Sequence, residues 1–138
     1  MKQIKYITII SLFALTGMLG CNGTDPIPPT EEAQNALIEA LQGTWAATEV
    51  RKENTVISDF ENFSLTITDK SYSTANGAPV WPSSGSFDFT TAETEDEFLR
   101  QDGRLFTASE SNGRVTITII YNEETARGEY GTYEFVLE

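Results

Sequence analysis

The stretch Val115–Tyr121, VTITIIY, decides the fold class of this chain. Every second residue is apolar or aromatic: Val115, Ile117, Ile119 and Tyr121. Thr116 and Thr118 stand between them. A period of two places alternate side chains on opposite faces of a β-strand, so this pattern predicts a strand with one face buried and the other in water. Strands of this kind are typical of antiparallel sheets.

The same period recurs in other parts of the chain. The apolar rows that we expect to point inward are Phe63, Leu65 and Ile67, then Phe87 and Phe89, and finally Tyr133, Phe135 and Leu137. Pairs such as Asn76-Gly77 and Asn112-Gly113 separate these rows, and such pairs tolerate the positive φ angles of tight hairpins. We therefore predict eight strands, at residues 44–51, 62–69, 70–75, 85–91, 95–101, 104–110, 114–121 and 128–137.

Most of the predicted connections are short, so strands that follow one another in sequence should be antiparallel neighbours. Eight such strands can remove both exposed sheet edges by closing on themselves. The sequence thus predicts an all-β protein, an up-and-down eight-stranded antiparallel barrel. A two-sheet sandwich is the alternative, and only residues 52–61 and 76–84 offer connections long enough for its crossovers.

A short helix is predicted before the first strand. Thr30 is a suitable N-cap, Glu31 and Glu32 favour the first turn, and Gly43 can end the element. Apolar residues between them recur at helical spacing: Ala33, Ala36, Leu37, Ala40 and Leu41. We expect this helix to pack against the barrel, so that residues 30–138 form one domain.

The N-terminal residues are typical of an export signal. Lys2 and Lys5 precede the predominantly apolar run Tyr6–Leu19, which is too short to span a bilayer comfortably. Residues 1–20 are therefore predicted to be a signal peptide. Residues 21–29 follow as CNGTDPIPP, whose three prolines favour a stiff, extended tether.

The Gly20-Cys21 junction resembles the lipobox of bacterial lipoproteins, and GTW at Gly43–Trp45 opens the first strand after a helix. Further on, LTITDKSYST begins at Leu65, VWPSSGSF begins at Val80, and YEFVLE ends the chain. Together these features resemble the lipocalin-like lipoproteins of Gram-negative bacteria. The resemblance implies acylation of Cys21, cleavage just before it, and anchoring in the cell envelope, at the outer membrane, with the membrane face left open.

Composition excludes several classes of function. The chain has no histidine, and its single cysteine is the expected lipidation site, so a Ser-His-Asp triad, a cysteine nucleophile and a typical zinc site are excluded. A formal net charge of −12 disfavours nucleic acid as a partner. The acidic run Glu93–Glu97 lacks the spacing of a known calcium loop. We expect no cofactor, no metal and no enzymatic activity; glycan hydrolysis by paired carboxylates such as Asp59 and Glu61 is a remote alternative.

Three aromatic residues are candidates for ligand contact. The resemblance implies that Trp45 closes one end of the barrel. Trp81 lies in a turn-rich segment and is expected at an open mouth, where it could stack on an apolar ligand or a sugar. Tyr72 is the third candidate. Because the inward side chains are bulky, a non-catalytic interaction or structural module that contacts an envelope protein is favoured over a carrier of a small ligand.

Overall fold

The computed structural model describes residues 29–123 and 130–138. The predicted signal peptide, Cys21 and the rest of the tether before residue 29 lie outside the described residues. One helix and nine strands are present in the described part: α1 (Pro29–Leu41), β1 (Gly43–Lys52), β2 (Thr55–Val56), β3 (Ser64–Thr68), β4 (Ser71–Ala75), β5 (Ser84–Phe89), β6 (Glu97–Arg100), β7 (Leu105–Ser111), β8 (Arg114–Tyr121) and β9 (Gly131–Leu137).

Eight of these strands form a closed antiparallel barrel. From β3 to β9, each strand pairs with the next one in sequence. β1 closes the circle because it pairs with β3 through residues 43–46 and with β9 through residues 47–52. The two-residue β2 pairs with β1 outside this circle. The predicted lipocalin-like up-and-down barrel with a short N-terminal helix is confirmed.

A β-bulge lets β1 contact both neighbours. The register with β9 shifts between Ala47 and Glu49, which makes Thr48 the extra residue. A bulge bends its strand and increases the local twist. The bend turns the first half of β1 towards β3 and the second half towards β9, and it was not predicted from the sequence.

The inward rows form a single core. Buried side chains from every barrel strand meet in one cluster, which also contains Phe63, just before β3. Phe63, Leu65, Ile117 and Phe135 are each no more than 1% exposed. Phe89 is partly buried at its edge. The predicted alternation therefore identified the inside of the barrel correctly.

The two ends of the barrel differ. At the end that we call the lower end, α1 packs through the buried residues Ile38 and Leu41. Gln34 Nε2 on α1 donates to the carbonyl oxygens of Thr91 and Thr94, in the β5–β6 connection. The opposite, upper end carries the connection between β1 and β3, residues 76–83, residues 101–104 and the start of β9.

Candidate functional site

Residues 76–83 connect β4 to β5 and are called the plug segment here because they fold into the upper end. The Trp81 amide donates to the Gly77 carbonyl oxygen at 2.8 Å, and Thr74 Oγ1 donates to the Pro82 carbonyl oxygen at 2.7 Å. The first bond folds the segment back on itself, and the second ties its end to β4. Trp81 is only 1% exposed. The expectation that Trp81 is exposed at a barrel mouth is therefore wrong. The buried position is favoured because it removes from water the large apolar area of the indole, which an exposed position in a loop would leave hydrated.

The Trp81 ring lies in the middle of the barrel. Its centroid is 5.4 Å from that of Tyr72 on β4 and 5.5 Å from that of Phe106 on β7. The rings of Phe63, just before β3, and Phe135 on β9 are each 6.4 Å away. Because these residues come from different sides of the barrel, the indole occupies its interior near the axis.

A buried arginine lies beside these rings. Trp81, the four rings around it, Arg100 and Asp102 are called the cluster here. The Arg100 side chain is 1% exposed, and its guanidinium carbon lies 4.8 Å from the centre of the Trp81 ring, a cation–π contact. Arg100 Nη1 donates to the Val80 carbonyl oxygen at 2.9 Å. Nε and Nη2 donate to the two carboxylate oxygens of Asp102, at 3.0 and 2.5 Å. The arginine thereby ties the plug segment to β6 and to the β6–β7 turn.

Sequence reasoning missed Arg100, although a signal for it was present. Phe98 and Arg100 stand two residues apart on β6, so they share a face of the strand. Phe98 is fully buried, and the alternation places Arg100 inside with it. A charged residue on an inward row requires a partner, and Asp102 supplies it from the adjoining turn.

Burial and hydrogen bonding shift the pKa of two groups in the cluster. Burial alone would raise the pKa of Asp102, but hydrogen bonds and charge from Arg100, with help from Arg104, lower it below the ordinary value. Burial raises the pKa of the Tyr72 hydroxyl, against the lowering effect of the Arg100 charge. Neither shift brings a group towards neutral pH, so the cluster is suited to holding structure rather than to transferring protons.

One donor in the cluster has no hydrogen-bond acceptor among the described residues. Trp81 Nε1 is buried and unpaired. An unpaired buried donor is rare and costs free energy comparable to a lost hydrogen bond. The rings of Tyr72, Phe106 and Phe135 all stand at steep angles to the indole plane, between 67° and 83°.

The other candidate residues lie elsewhere. Trp45 packs against the core at the lower end, where its Nε1 donates to the Leu41 carbonyl oxygen at 2.8 Å and so joins α1 to β1. Tyr72 does lie next to Trp81, whereas Trp45 does not. Asp59 and Glu61 are both exposed in the β2–β3 connection.

Two pockets among the described residues lie at turns and strand edges. One of about 370 Å³ adjoins the β1 bulge and is lined by Thr48, Glu49, Val56 and Ile57, among others. A second, of about 390 Å³, lies between Leu105 and Ile120 on the outer wall. In residues 29–123 and 130–138, no group of three or more acidic or cysteine side chains is arranged to hold a metal ion. No helix within these ranges combines the length and apolarity needed to cross a membrane.

Comparisons of this chain with protein-family models, with curated proteins and with solved structures gave no match.

Proposed function

We propose that this chain is a cell-envelope lipoprotein, anchored by acyl chains on Cys21, whose barrel is a non-catalytic interaction or structural module. The observation that carries the second half of the proposal is the aromatic filling of the barrel. Trp81 and Phe135, each no more than 1% exposed, occupy the volume in which a carrier of this architecture would hold its ligand. A filled barrel leaves the loops and the outer wall as the surfaces available for binding.

The export signal and the resemblance around Cys21 support the anchor. One acyl chain gives only reversible membrane binding, whereas two or more hold a protein on a bilayer. The prolines before residue 29 would keep the barrel apart from the membrane surface, by at most about 30 Å.

A carrier of a small apolar or sugar ligand is the second candidate, and one specific observation favours it. The Trp81 indole N–H has no acceptor among the described residues, and a ligand oxygen would satisfy it. Binding would require the plug segment to move outward, because Trp81 now fills the site. Glycan hydrolysis has no comparable observation in its favour.

The anchor is tested by detergent phase separation after expression in a Gram-negative host fed a labelled fatty acid. We expect the wild-type protein to carry label and to partition into the detergent phase. Cys21→Ser should abolish both properties. Label-free protein that partitions into water would contradict the anchor.

The filled interior is tested by native mass spectrometry of protein purified from its own cells. We expect a single species whose mass is that of the polypeptide and its acyl chains, with no additional ligand. An adduct that is released on unfolding, and whose removal changes the fluorescence of Trp81, would establish the carrier instead.

A further inference from the structure

A row of exposed apolar side chains crosses three neighbouring strands near the upper end. Leu99 on β6, Leu105 on β7 and Ile120 on β8 are 42%, 50% and 61% exposed. Leu99 and Leu105 are direct partners in the sheet register. On β7 and β8, Phe106 pairs with Ile119, so the next pair in this antiparallel register places Leu105 beside Ile120. We call these three residues the outer row.

A groove adjoins the outer row. It has a volume of about 390 Å³, and Leu105 and Ile120 form its apolar wall. The β6–β7 turn, with Asp102 and Arg104, and the end of β8, with Glu123, supply its polar rim. A cleft of this size with an apolar wall and a few polar groups suits the side chains of a bound partner.

Carboxylates are the outermost charges around the row. Arg104 is only 12% exposed because it lies against the Tyr121 ring, while its ion-pair partner Glu123 is 63% exposed. The Asp102 side chain is 35% exposed, against 1% for Arg100. Asp88, the register partner of Leu99, is 68% exposed, and its ion-pair partner Lys70 is 46% exposed. Each of these carboxylates is paired with a cation but is more exposed than that cation, so a binding partner would meet carboxylate oxygens first.

We infer that the outer row binds a basic polypeptide segment. This inference rests on the interaction function proposed above. Apolar side chains of the segment would cover Leu105 and Ile120, and its lysines or arginines would face the surrounding carboxylates. Charge complementarity of this kind also steers the encounter with a chain of net charge −12.

Two other occupants fit less well. A second copy of this chain would bring the same negative net charge to the contact, and three half-exposed side chains offer much less than the area of about 800 Å² that a stable interface needs from each partner. A bilayer is disfavoured because the row lies at the upper end, whereas α1, through which the chain continues from Cys21, covers the lower end.

The inference is tested by titrating the mature chain, residues 21–138 with Cys21→Ser, with three synthetic hexapeptides and following amide chemical shifts. The peptides alternate lysine with leucine, lysine with serine, or glutamate with leucine. We expect the lysine–leucine peptide to shift resonances around Leu99, Leu105 and Ile120. Binding of the other two should be at least about tenfold weaker, because each lacks one of the two required chemistries.

Substitutions separate the row from the rest of the surface. Leu105→Ser and Ile120→Ser should each weaken binding of the lysine–leucine peptide by about fivefold or more. Val56→Ser is the matched control, since Val56 is 59% exposed but lies on β2. Equal binding of the lysine–serine or glutamate–leucine peptide, or an equal loss in Val56→Ser, would overturn the inference. Self-association abolished by Ile120→Ser would overturn it in favour of a second copy.

Failure of this inference and failure of the proposed function give different results. If the lysine–leucine peptide does not bind, but the lipidated protein crosslinks in cells to an envelope protein through other residues, the outer row is the wrong surface and the interaction function stands. A ligand found inside the barrel would instead overturn the proposed function itself.

Discussion

At the scale of single residues, the buried Arg100 sets the strongest requirement on its surroundings. Its charge is compensated by Asp102, whose side chain is 35% exposed. Removing one partner of a buried pair leaves an uncompensated charge, whereas removing both can be nearly neutral. We expect Asp102→Ala to lower the free energy of unfolding by about 2–3 kcal/mol and Arg100→Met/Asp102→Ala to lower it by less than the sum of the single changes. Urea unfolding of Asp102→Ala, of Arg100→Met and of the double variant measures these changes.

The exposed pair of Arg114 and Glu138 provides the matched control. Its side chains are 60% and 47% exposed. Since exposed ion pairs contribute little, Glu138→Ala should cost less than about 1 kcal/mol. If Glu138→Ala and Asp102→Ala lower the free energy of unfolding equally, burial does not make Arg100 depend more strongly on its carboxylate partner than the exposed Arg114 does.

The lowered pKa of Asp102 predicts a loss of stability in acid. Because the folded-state pKa lies below the unfolded value of about 3.9, the carboxylate stabilises the fold above that value, and this contribution disappears as pH falls through the folded-state pKa. Urea unfolding between pH 5 and pH 2 should show it. Asp102→Asn should flatten the decline, whereas an unchanged slope in this variant would assign it to other carboxylates such as Asp88, whose pKa the hydrogen bond from Lys70 also lowers.

Period-two reasoning identified the inward apolar residues but not the two residues at the centre of the site. Arg100 was not predicted because the inward rows were expected to hold only apolar side chains. Trp81 was placed wrongly because it lies outside any strand, where alternation gives no direction. Its position depends on the fold of the plug segment and on contacts with Phe63 and Phe135, which come from distant parts of the sequence.

At the scale of structural elements, the plug segment depends on the absence of a side chain at Gly77. A Cβ added there would lie 2.6 Å from Trp81 Cβ and 2.8 Å from Phe63 Cε2. Since the indole and the phenyl ring are both packed in the core, neither can move cheaply. We expect Gly77→Ala to lower the free energy of unfolding by about 1–3 kcal/mol, measured by urea unfolding, and to alter the near-ultraviolet circular dichroism of tryptophan.

Ser84→Ala is the control for this change, because Ser84 is exposed at the start of β5. It should leave both signals as in the wild type. A Gly77→Ala protein as stable as Ser84→Ala would mean that the plug segment can shift away from the core without loss.

The helix α1 closes the lower end through Leu41, which is fully buried. Leu41→Ala removes buried methyl groups from a site bounded by the barrel and should cost about 2–4 kcal/mol in thermal or urea unfolding. Glu39→Ala, on the exposed side of the same helix, should be nearly neutral. Equal effects of the two changes would indicate that α1 does not pack on the barrel in solution.

Strand positions were predictable because each depends on a local pattern of hydrophobicity and on turn residues that adopt positive φ, as Asn76 and Asn112 do. The bulge at Thr48 and the short β2 were not predicted. Both arise where β1 changes neighbours, so they depend on how the first and last barrel strands meet rather than on any local pattern. Closure is a property of the whole sheet.

At the scale of the whole molecule, closure and filling depend on one another. β1 completes the circle of strands through its pairing with β9, and the aromatic residues inside come from strands all around that circle. Trp81 contacts side chains just before β3 and on β4, β6, β7 and β9. Opening the barrel at any of these strands would expose the indole, and expelling the indole would leave a large cavity.

This mutual dependence predicts a single cooperative unfolding transition. Trp45→Phe leaves Trp81 as the only tryptophan, so its fluorescence reports on the centre of the barrel while far-ultraviolet circular dichroism reports on the strands. We expect the two signals to change at the same urea concentration. The substitution also removes the hydrogen bond to the Leu41 carbonyl oxygen, which should shift both midpoints together. A red shift of Trp81 emission before the strands unfold would show instead that the plug segment leaves an intact barrel, the motion that a ligand carrier requires.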